Sequence, residues 1–199
     1  QLHAHTYWSD GRGFPEQAVA AYQQSGFDFL CISDHNRFAD DTNTWREVAD
    51  KEGGWPPKVS RAIYENYVRD FGAAGVDIKT ATRPQGAATM VRLKTFPELQ
   101  AQFEQPGKFI LLPGVELTQK LGDLHVHLNY VNLPRVLPCI QGANLIHKVP
   151  PPQTVSGLLA LNAAETARVA AELNRPYALM LNHPYWRFHD IVPAHLVEC

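Results

Sequence analysis

The order strand, helix, strand at the start of the chain is the feature that most constrains its fold. "QLHAHT" is predicted to be a short strand, "PEQAVAAYQQSG" a helix with proline near its start and glycine at its end, and "FDFLCIS" a buried strand. Two strands joined by a helix through short connections form a βαβ unit, in which the strands are parallel and the crossover is right-handed. The beginning of the chain therefore predicts an α/β fold with a parallel sheet.

Further strands and helices follow by the same criteria. The predicted strands are "KFILLPGVEL", expected to end at Pro113-Gly114 and then deliver Glu116, "LHVHLNYVNL" and "YALMLNHP". The predicted helices are "SRAIYENYVRDFG", "FPELQAQFE", "TVSGLLALNAAETARVAAELN" and the start of one more in "AHLVEC". Residues 37–107 include the loop-like stretches "EGGWPPK" and "TRPQGAAT", and we interpret them as an insertion of loops and helices. We expect one domain over residues 1–199.

Composition narrows the class of partner. The chain has 199 residues, 45% hydrophobic and 19% charged, which is typical of a globular domain with a proper core. A net charge of -2 gives no field that favours nucleic acid or an anionic membrane, and no run of eighteen apolar residues is present. We expect a small-molecule partner, with neither nucleic acid nor membrane, and leave the oligomeric state open. Because the chain begins at Gln1, we expect a cropped or processed N-terminus, so cytoplasmic and exported locations both stay open.

Histidines and carboxylates recur at the ends of the predicted strands. In a strand, His3 and His5 would share one face, because side chains alternate. The other candidates come from the following loop or from later strands, and the full set is His3, His5, Asp10, His35, Glu116, His127 and His183. Imidazole and carboxylate ligands suit Zn, Mn or Fe, and a carboxylate has two oxygens with which to bridge two ions. The sequence therefore predicts a site for two to three divalent metal ions.

Several neighbouring residues keep two interpretations. His125 lies on the same predicted strand face as His127 and is either an alternative ligand or a group that supports the site. Arg92 and Lys94 either meet an anionic substrate or lie on the surface. Tyr7 and Trp8 either form a wall of the pocket or pack in the core. For Asp34 we favour a supporting role, and we expect Cys31 to be a buried structural thiol.

The motifs around these residues resemble those of a known family. "LHAHTYWSDG" is similar to the first motif, H-x-H-x-x-x-S-D-G, of the PHP (polymerase and histidinol phosphatase) family, and "ISDHN", "PGVE" and "LNHP" resemble later motifs in the same order. The resemblance covers nearly the whole chain. It implies a distorted (β/α)7 barrel, related to the TIM barrel, with up to three metal ions. It also implies a metal-dependent hydrolase, with Glu116 and His35 in catalytic roles.

The resemblance also implies how the ligands are shared. The first metal would be held by His3, His5 and Glu116. The second would share Glu116 and add His127 and His183, and the third would take Asp10 and His35. His127 is preferred to His125 because the family pattern H-x-N fits "HLN" alone. The family's closing D-x-H motif is not found after His183, so we expect a barrel that is incomplete at its C-terminus.

The leading functional hypothesis is a phosphoesterase, in which a metal-activated water attacks phosphorus. An ester, amide or carbamate hydrolase would use the same metals, because metals polarise a carbonyl group equally well. A phosphoesterase should have cationic side chains in its pocket, whereas a carbamate hydrolase should have an apolar one. A non-catalytic metal-binding module is the remaining alternative.

Overall fold

The computed structural model describes residues 1–84, 86–137, 152–185 and 191–197. The chain forms two compact units. The first contains Gln1, His3–Leu30 and Ala39–Leu111, and the second contains Leu2, Cys31–Phe38 and the described residues from Leu112 onward. Within the described ranges, every helix is too short or too polar to cross a membrane.

The elements alternate irregularly along the chain. The helices are α1 (Pro15–Gln24), α2 (Arg61–Phe71), α3 (Phe96–Phe103), α4 (Val155–Glu172) and α5 (Ala194–Val197), with a 3-10 turn at Ala73–Gly75. The strands are β1 (Phe29–Ile32), β2 (Trp45–Ala49), β3 (Val59–Ser60), β4 (Ile78–Arg83), β5 (Gly86–Arg92), β6 (Ile110–Leu121), β7 (Leu124–Val131) and β8 (Ala178–Leu181). One sheet has the order β3-β2-β5-β4 and the other the order β1-β6-β7-β8.

Local capping signals explain why the predicted helices form. Ser60 caps α2 by accepting a hydrogen bond from the Ile63 N–H at 3.4 Å. At α3 the backbone N–H of Thr95 donates to Glu98 Oε2 at 2.7 Å, as in a capping box. Pro15 occupies the first turn of α1, where a missing N–H costs nothing. The helices predicted at these places, and the long helix that became α4, are confirmed.

The first turn of α1, in the first unit, contains a buried carboxyl group. Glu16 is 1% exposed and accepts a hydrogen bond from the hydroxyl of Tyr67, whose ring stacks on Phe14 with centroids 3.8 Å apart. Burial raises the pKa of Glu16 to about 7, against the effect of the Tyr67 hydrogen bond. The charged form of Glu16 is therefore disfavoured by the fold.

Replacing Glu16 with glutamine should make stability less dependent on pH. Because the folded pKa is about 7 and the ordinary value is 4.5, folding binds a proton between these pH values, and stability falls as pH rises through them. Glu16→Gln keeps an acceptor for Tyr67 but has no proton to lose. We expect its free energy of unfolding to exceed that of the wild type by on the order of 3 kcal/mol above pH 7 and to match it below pH 4.5.

Denaturant unfolding from pH 4 to pH 8 measures this difference. Glu98→Gln is the matched control, because hydrogen bonds from Arg92 lower the pKa of Glu98 to about 2. Glu98 therefore stabilises the fold above its ordinary pKa, and its loss should be destabilising near neutral pH, the opposite sign. A constant gap between Glu16→Gln and wild type at all pH values would refute the burial argument.

The sheet of the second unit has two chemically different faces. β6 and β7 form a hairpin closed at Leu121 and Leu124, and β7 pairs antiparallel with β8. One face carries apolar side chains and Gln119, whose amide donates to Asn162 of α4 at 3.1 Å. The other carries Glu116 and Thr118 of β6, opposite Asn129 and His127 of β7. Helix α4 therefore covers one face, and polar side chains collect on the other.

Gly114 explains why the Pro-Gly pair does not end β6. A Cβ atom at this position would lie 2.4 Å from Cys31 Sγ and 2.7 Å from the carbonyl oxygen of Tyr130. Only glycine allows both neighbouring strands to approach this closely. The prediction that the strand ends at Pro113-Gly114 is wrong, since β6 continues to Leu121. Cys31 is fully buried, as predicted.

The predicted (β/α)7 barrel of PHP type is wrong. The described residues form a mixed α/β structure with two small sheets that are mainly antiparallel, and neither sheet closes into a barrel. Residues 1–6 form no strand, so the predicted βαβ unit does not exist. Residues 37–107, predicted as loops and helices, contain the whole sheet β3-β2-β5-β4. The stretch "TRPQGAAT" contributes to the β4–β5 hairpin, with Gln85 outside the described residues.

Candidate metal centre

Glu116 is the centre of the polar face in the second unit. It lies in the middle of β6, and its side chain is 0% exposed. In the pairing of β6 with β7, Asn129 lies opposite Glu116. His127 lies opposite Thr118, which is the next residue of β6 on the same face. An ionised carboxylate at such a position is costly unless other charges or hydrogen bonds compensate it.

Four side chains surround the Glu116 carboxylate. The Asn182 amide donates to Oε1 at 2.8 Å, and His35 Nδ1 lies 2.8 Å from Oε2. His127 Nδ1 and His183 Nε2 lie 3.3 Å and 3.4 Å from Oε1. The rings of His127 and His183 are edge to face, with centroids 4.9 Å apart. We call Glu116, His35, His127, His183 and Asn182 the Glu116 cluster.

Asn36 fixes the position of His35 beyond the end of β1. Its backbone has a positive φ of 48°, and its N–H donates to the Glu116 carbonyl at 2.9 Å. Its side-chain amide then pairs with Thr118, donating to the Thr118 carbonyl and accepting from the Thr118 N–H, both at 3.0 Å. The hydroxyl of Thr118 also contacts His35 Nδ1. The side chain of Asn36 therefore continues the strand pairing where the backbone turns away.

His183 reaches the cluster from the end of β8. The Asn182 N–H donates to the His127 carbonyl at 2.9 Å, which extends the β7–β8 pairing by one residue. His183 follows with a positive φ of 29°. Burial lowers the pKa of His183 despite the attraction of the Glu116 carboxylate. Burial therefore favours the neutral imidazole, which is the form that binds metals.

Two separations in the Glu116 cluster match the spacing of neighbouring ligands on a divalent metal ion. With metal–ligand bonds of about 2.0–2.1 Å, two ligands of a tetrahedral ion lie roughly 3.3–3.4 Å apart. The separations of His127 Nδ1 and His183 Nε2 from Glu116 Oε1, 3.3 Å and 3.4 Å, match this spacing. They are longer than the 2.7–2.9 Å that is usual for a charge-assisted hydrogen bond. His35 differs, since its Nδ1 lies closer, 2.8 Å from Oε2, and also contacts the hydroxyl of Thr118.

The N-terminal candidates, His3, His5 and Asp10, belong to the first unit. His3 Nε2 and His5 Nε2 lie 3.2 Å apart, and His5 Nδ1 lies 2.8 Å from Asp10 Oδ1. The strand predicted here is wrong. Asp10 lies beside His5 because the chain turns tightly between them, and the Gly11 N–H donates to the Thr6 carbonyl at 3.0 Å. A Cβ atom on Gly11 would lie 2.4 Å from the backbone carbon of His5, so the "SDG" turn requires glycine there.

The structure shows the surroundings of the residues for which the sequence left two interpretations. His125 is half-buried near the hairpin turn, opposite Lys120, and is more exposed than His127. The guanidinium of Arg92 is held by Asp77 and Glu98 at 2.5–3.0 Å, and Lys94 Nζ by Asp77 at 2.9 Å. These ion pairs give both cations a structural role.

Tyr7, Trp8 and Asp34 are all buried. The Trp8 indole donates to the Lys94 carbonyl at 2.9 Å, and the Tyr7 hydroxyl donates to Glu52 at 2.6 Å. The Asp34 carbonyl accepts from the Glu116 N–H at 3.2 Å, so Asp34 supports the backbone of β6. Both aromatic side chains therefore pack in the interior of the first unit.

Sequence motifs did not single out Asn36, Thr118 or Asn182. Asn36 and Asn182 directly adjoin two candidate ligands, His35 and His183, and an amide beside a ligand at a strand end is the signal that could have found them. Thr118 has no such signal, because its role depends on the register between β6 and the residues after β1.

No protein-family model matches the chain, and no curated protein matches it. The similarity to the PHP family therefore stays a prediction from four short motifs.

His127→Ala and His125→Ala should differ in metal binding. His127 is 7% exposed and has a ring nitrogen at ligand spacing from Glu116, whereas His125 has its ring centroid 6.2 Å from that of His127, toward the turn. We expect His127→Ala to lose about one equivalent of bound zinc or manganese per chain and His125→Ala to keep it. Elemental analysis after metal loading and gel filtration gives the measurement. Loss of metal from His125→Ala alone would show that the assignment is reversed.

Proposed function

We propose that the chain is a metal-dependent hydrolase of phosphoric esters, with the Glu116 cluster as part of its metal centre. The observation that carries the proposal is the placement of two imidazole nitrogens 3.3 Å and 3.4 Å from one oxygen of a fully buried carboxylate. A buried negative charge needs compensation by opposite charges or hydrogen bonds. A divalent cation supplies opposite charge and binds carboxylate oxygen and ring nitrogen together.

Glu116, His127 and His183 would hold one ion, and the second oxygen of Glu116 faces His35. The motif resemblance adds His3, His5 and Asp10 as ligands of further ions, to a total of two or three. Zn, Mn and Fe all suit nitrogen and carboxylate ligands. That part of the proposal rests on the sequence pattern.

Such ions, when bound, would activate a water molecule and offset charge that develops on the phosphoryl oxygens. The protein's own contribution is to fix the ligands before substrate arrives. Asn182 holds Oε1 of Glu116 from one side, and Asn36 and Thr118 fix His35 on the other. Supporting hydrogen bonds of this kind set the orientation of metal ligands.

Glu116→Gln tests the proposal directly. Glutamine keeps the shape of the side chain but removes the charge that attracts the cation. We expect loss of bound metal and a fall of roughly a hundredfold or more in kcat/KM for p-nitrophenyl phosphate. Glu165→Gln is the matched control, because Glu165 is also a buried glutamate of the second unit but pairs with Arg168 at 2.7 Å.

The assay panel separates the possible substrates. It contains a phosphomonoester, a phosphodiester, a carboxylic ester and a carbamate, each with Zn, Mn or Fe added back. Turnover of the phosphoric esters that disappears in Glu116→Gln and survives in Glu165→Gln supports the proposal. If only the carboxylic ester or carbamate is hydrolysed, the metal centre stands and the substrate class is wrong. If Glu116→Gln and Glu165→Gln bind metal and react equally, the centre itself is wrong.

A further inference from the structure

A pocket in the first unit has the features of a binding site for a small organic anion. It has a volume of about 240 Å³. Its lining includes Tyr7, Asp10, Arg12, Glu52, Trp55 and Lys58. A cavity of about 150 Å³ is enough to hold benzene, so this pocket has room for one aromatic ring with a substituent. It is smaller than the sites of about 300–1,000 Å³ that enclose drug-sized ligands.

The loop that carries Trp55 is built to present the indole. Gly53 and Gly54 have positive φ values of 136° and 81°, and the Lys58 N–H donates to the Gly53 carbonyl at 2.9 Å. This hydrogen bond closes the loop, and Trp55 lies at its tip with 71% of its surface exposed. The base of the loop is tied to the interior by the hydrogen bond from Tyr7 to Glu52 at 2.6 Å. The pocket thus has an exposed indole on an anchored support.

One side chain of the lining, Arg12, can bind an anionic group. Lys58 is paired with Glu47 at 2.6 Å, Glu52 accepts from Tyr7, and Asp10 lies 2.8 Å from His5. Arg12 is exposed and has no hydrogen bond or ion pair to any residue that the structure describes. A guanidinium binds the oxygens of a phosphate, phosphonate or carboxylate in pairs. Arg12 is therefore the cation with donors available to a ligand.

We propose that this Trp55 pocket binds the aromatic part of an anionic aryl substrate, with the ring on Trp55 and an anionic oxygen on Arg12. The inference rests on the proposed function, because Asp10 of the same lining is a ligand that the first motif predicts. An ester whose ring lies on Trp55 and whose anionic oxygen lies on Arg12 would therefore be bound beside Asp10. The substrate class is an aryl phosphate, and a short alkyl phosphate lacks the ring that the pocket recognises.

Binding of phenylphosphonate and propylphosphonate tests this proposal without hydrolysis, since neither compound has an ester bond to cleave. Calorimetric titration of the full chain is carried out with chelator and again with zinc. We expect phenylphosphonate to bind about tenfold more tightly than propylphosphonate in both conditions. Trp55→Ala should remove that preference, and Trp55→Phe, which keeps a ring, should restore most of it.

Substitutions of Arg12 and of a control residue, Arg61, test whether Arg12 binds the anionic group. Arg12→Gln should weaken phenylphosphonate about tenfold. Arg61→Gln, at another exposed arginine of the first unit, should not change the affinity. The proposal is overturned if the two phosphonates bind equally, if neither binds, or if Trp55→Ala or Arg12→Gln leaves phenylphosphonate affinity unchanged.

Hydrolysis assays distinguish failure of this inference from failure of the proposed function. If wild type and Trp55→Ala hydrolyse phenyl and propyl phosphate with the same kcat/KM ratio, the metal centre stands and the aryl pocket is wrong. If phenylphosphonate binds as expected but no ester is hydrolysed with any metal, the aryl pocket stands and the hydrolase proposal is wrong.

Discussion

The second unit depends on the burial of one carboxylate in the middle of a sheet. Glu116 is fully enclosed, so its charge must be met by neighbours rather than by water. Segments that are far apart in the chain meet at this carboxylate: the loop after β1, the middle of β7 and the residues after β8. The hydrogen bonds from Asn182 and the pairing of Asn36 with Thr118 follow from it, because each fixes a neighbour of the carboxylate.

The two faces of the sheet in the second unit carry different kinds of side chain. One face packs against α4 through apolar side chains and the buried Gln119–Asn162 amide pair. The other holds the polar residues. Because side chains alternate along β6, Glu116 faces the side of the sheet opposite to that of its apolar sequence neighbours, Val115 and Leu117. A change on the helix side can therefore alter stability while leaving the ligand set in place.

Local sequence signals predicted the helices, whereas the fold prediction was wrong because strand pairing is set by residues far apart in the chain. Caps such as Ser60 and Thr95 act within one turn and can be recognised in the sequence. The direction in which two strands pair cannot be recognised in this way, except where a short turn joins them. Gly122-Asp123, between Leu121 and Leu124, is a two-residue hairpin signal that favours antiparallel pairing over a barrel. The candidate metal ligands could be chosen from the sequence by residue type, because few other residues bind metals. The contact of Thr118 with His35, in contrast, depends on the register of β6.

Asn36 has a consequence for which substitutions the chain can tolerate. Its side chain imitates a peptide group, with one donor and one acceptor held in a plane at the distance that a neighbouring strand requires. Aspartate has the length but not the donor, glutamine has both groups one methylene too far out, and the positive φ disfavours most other residues. Geometry alone thus restricts position 36 to asparagine. The side chain of Asn36 has this constraint although its hydrogen bonds go to the backbone of Thr118 and not to the Glu116 carboxylate or to an imidazole of the Glu116 cluster.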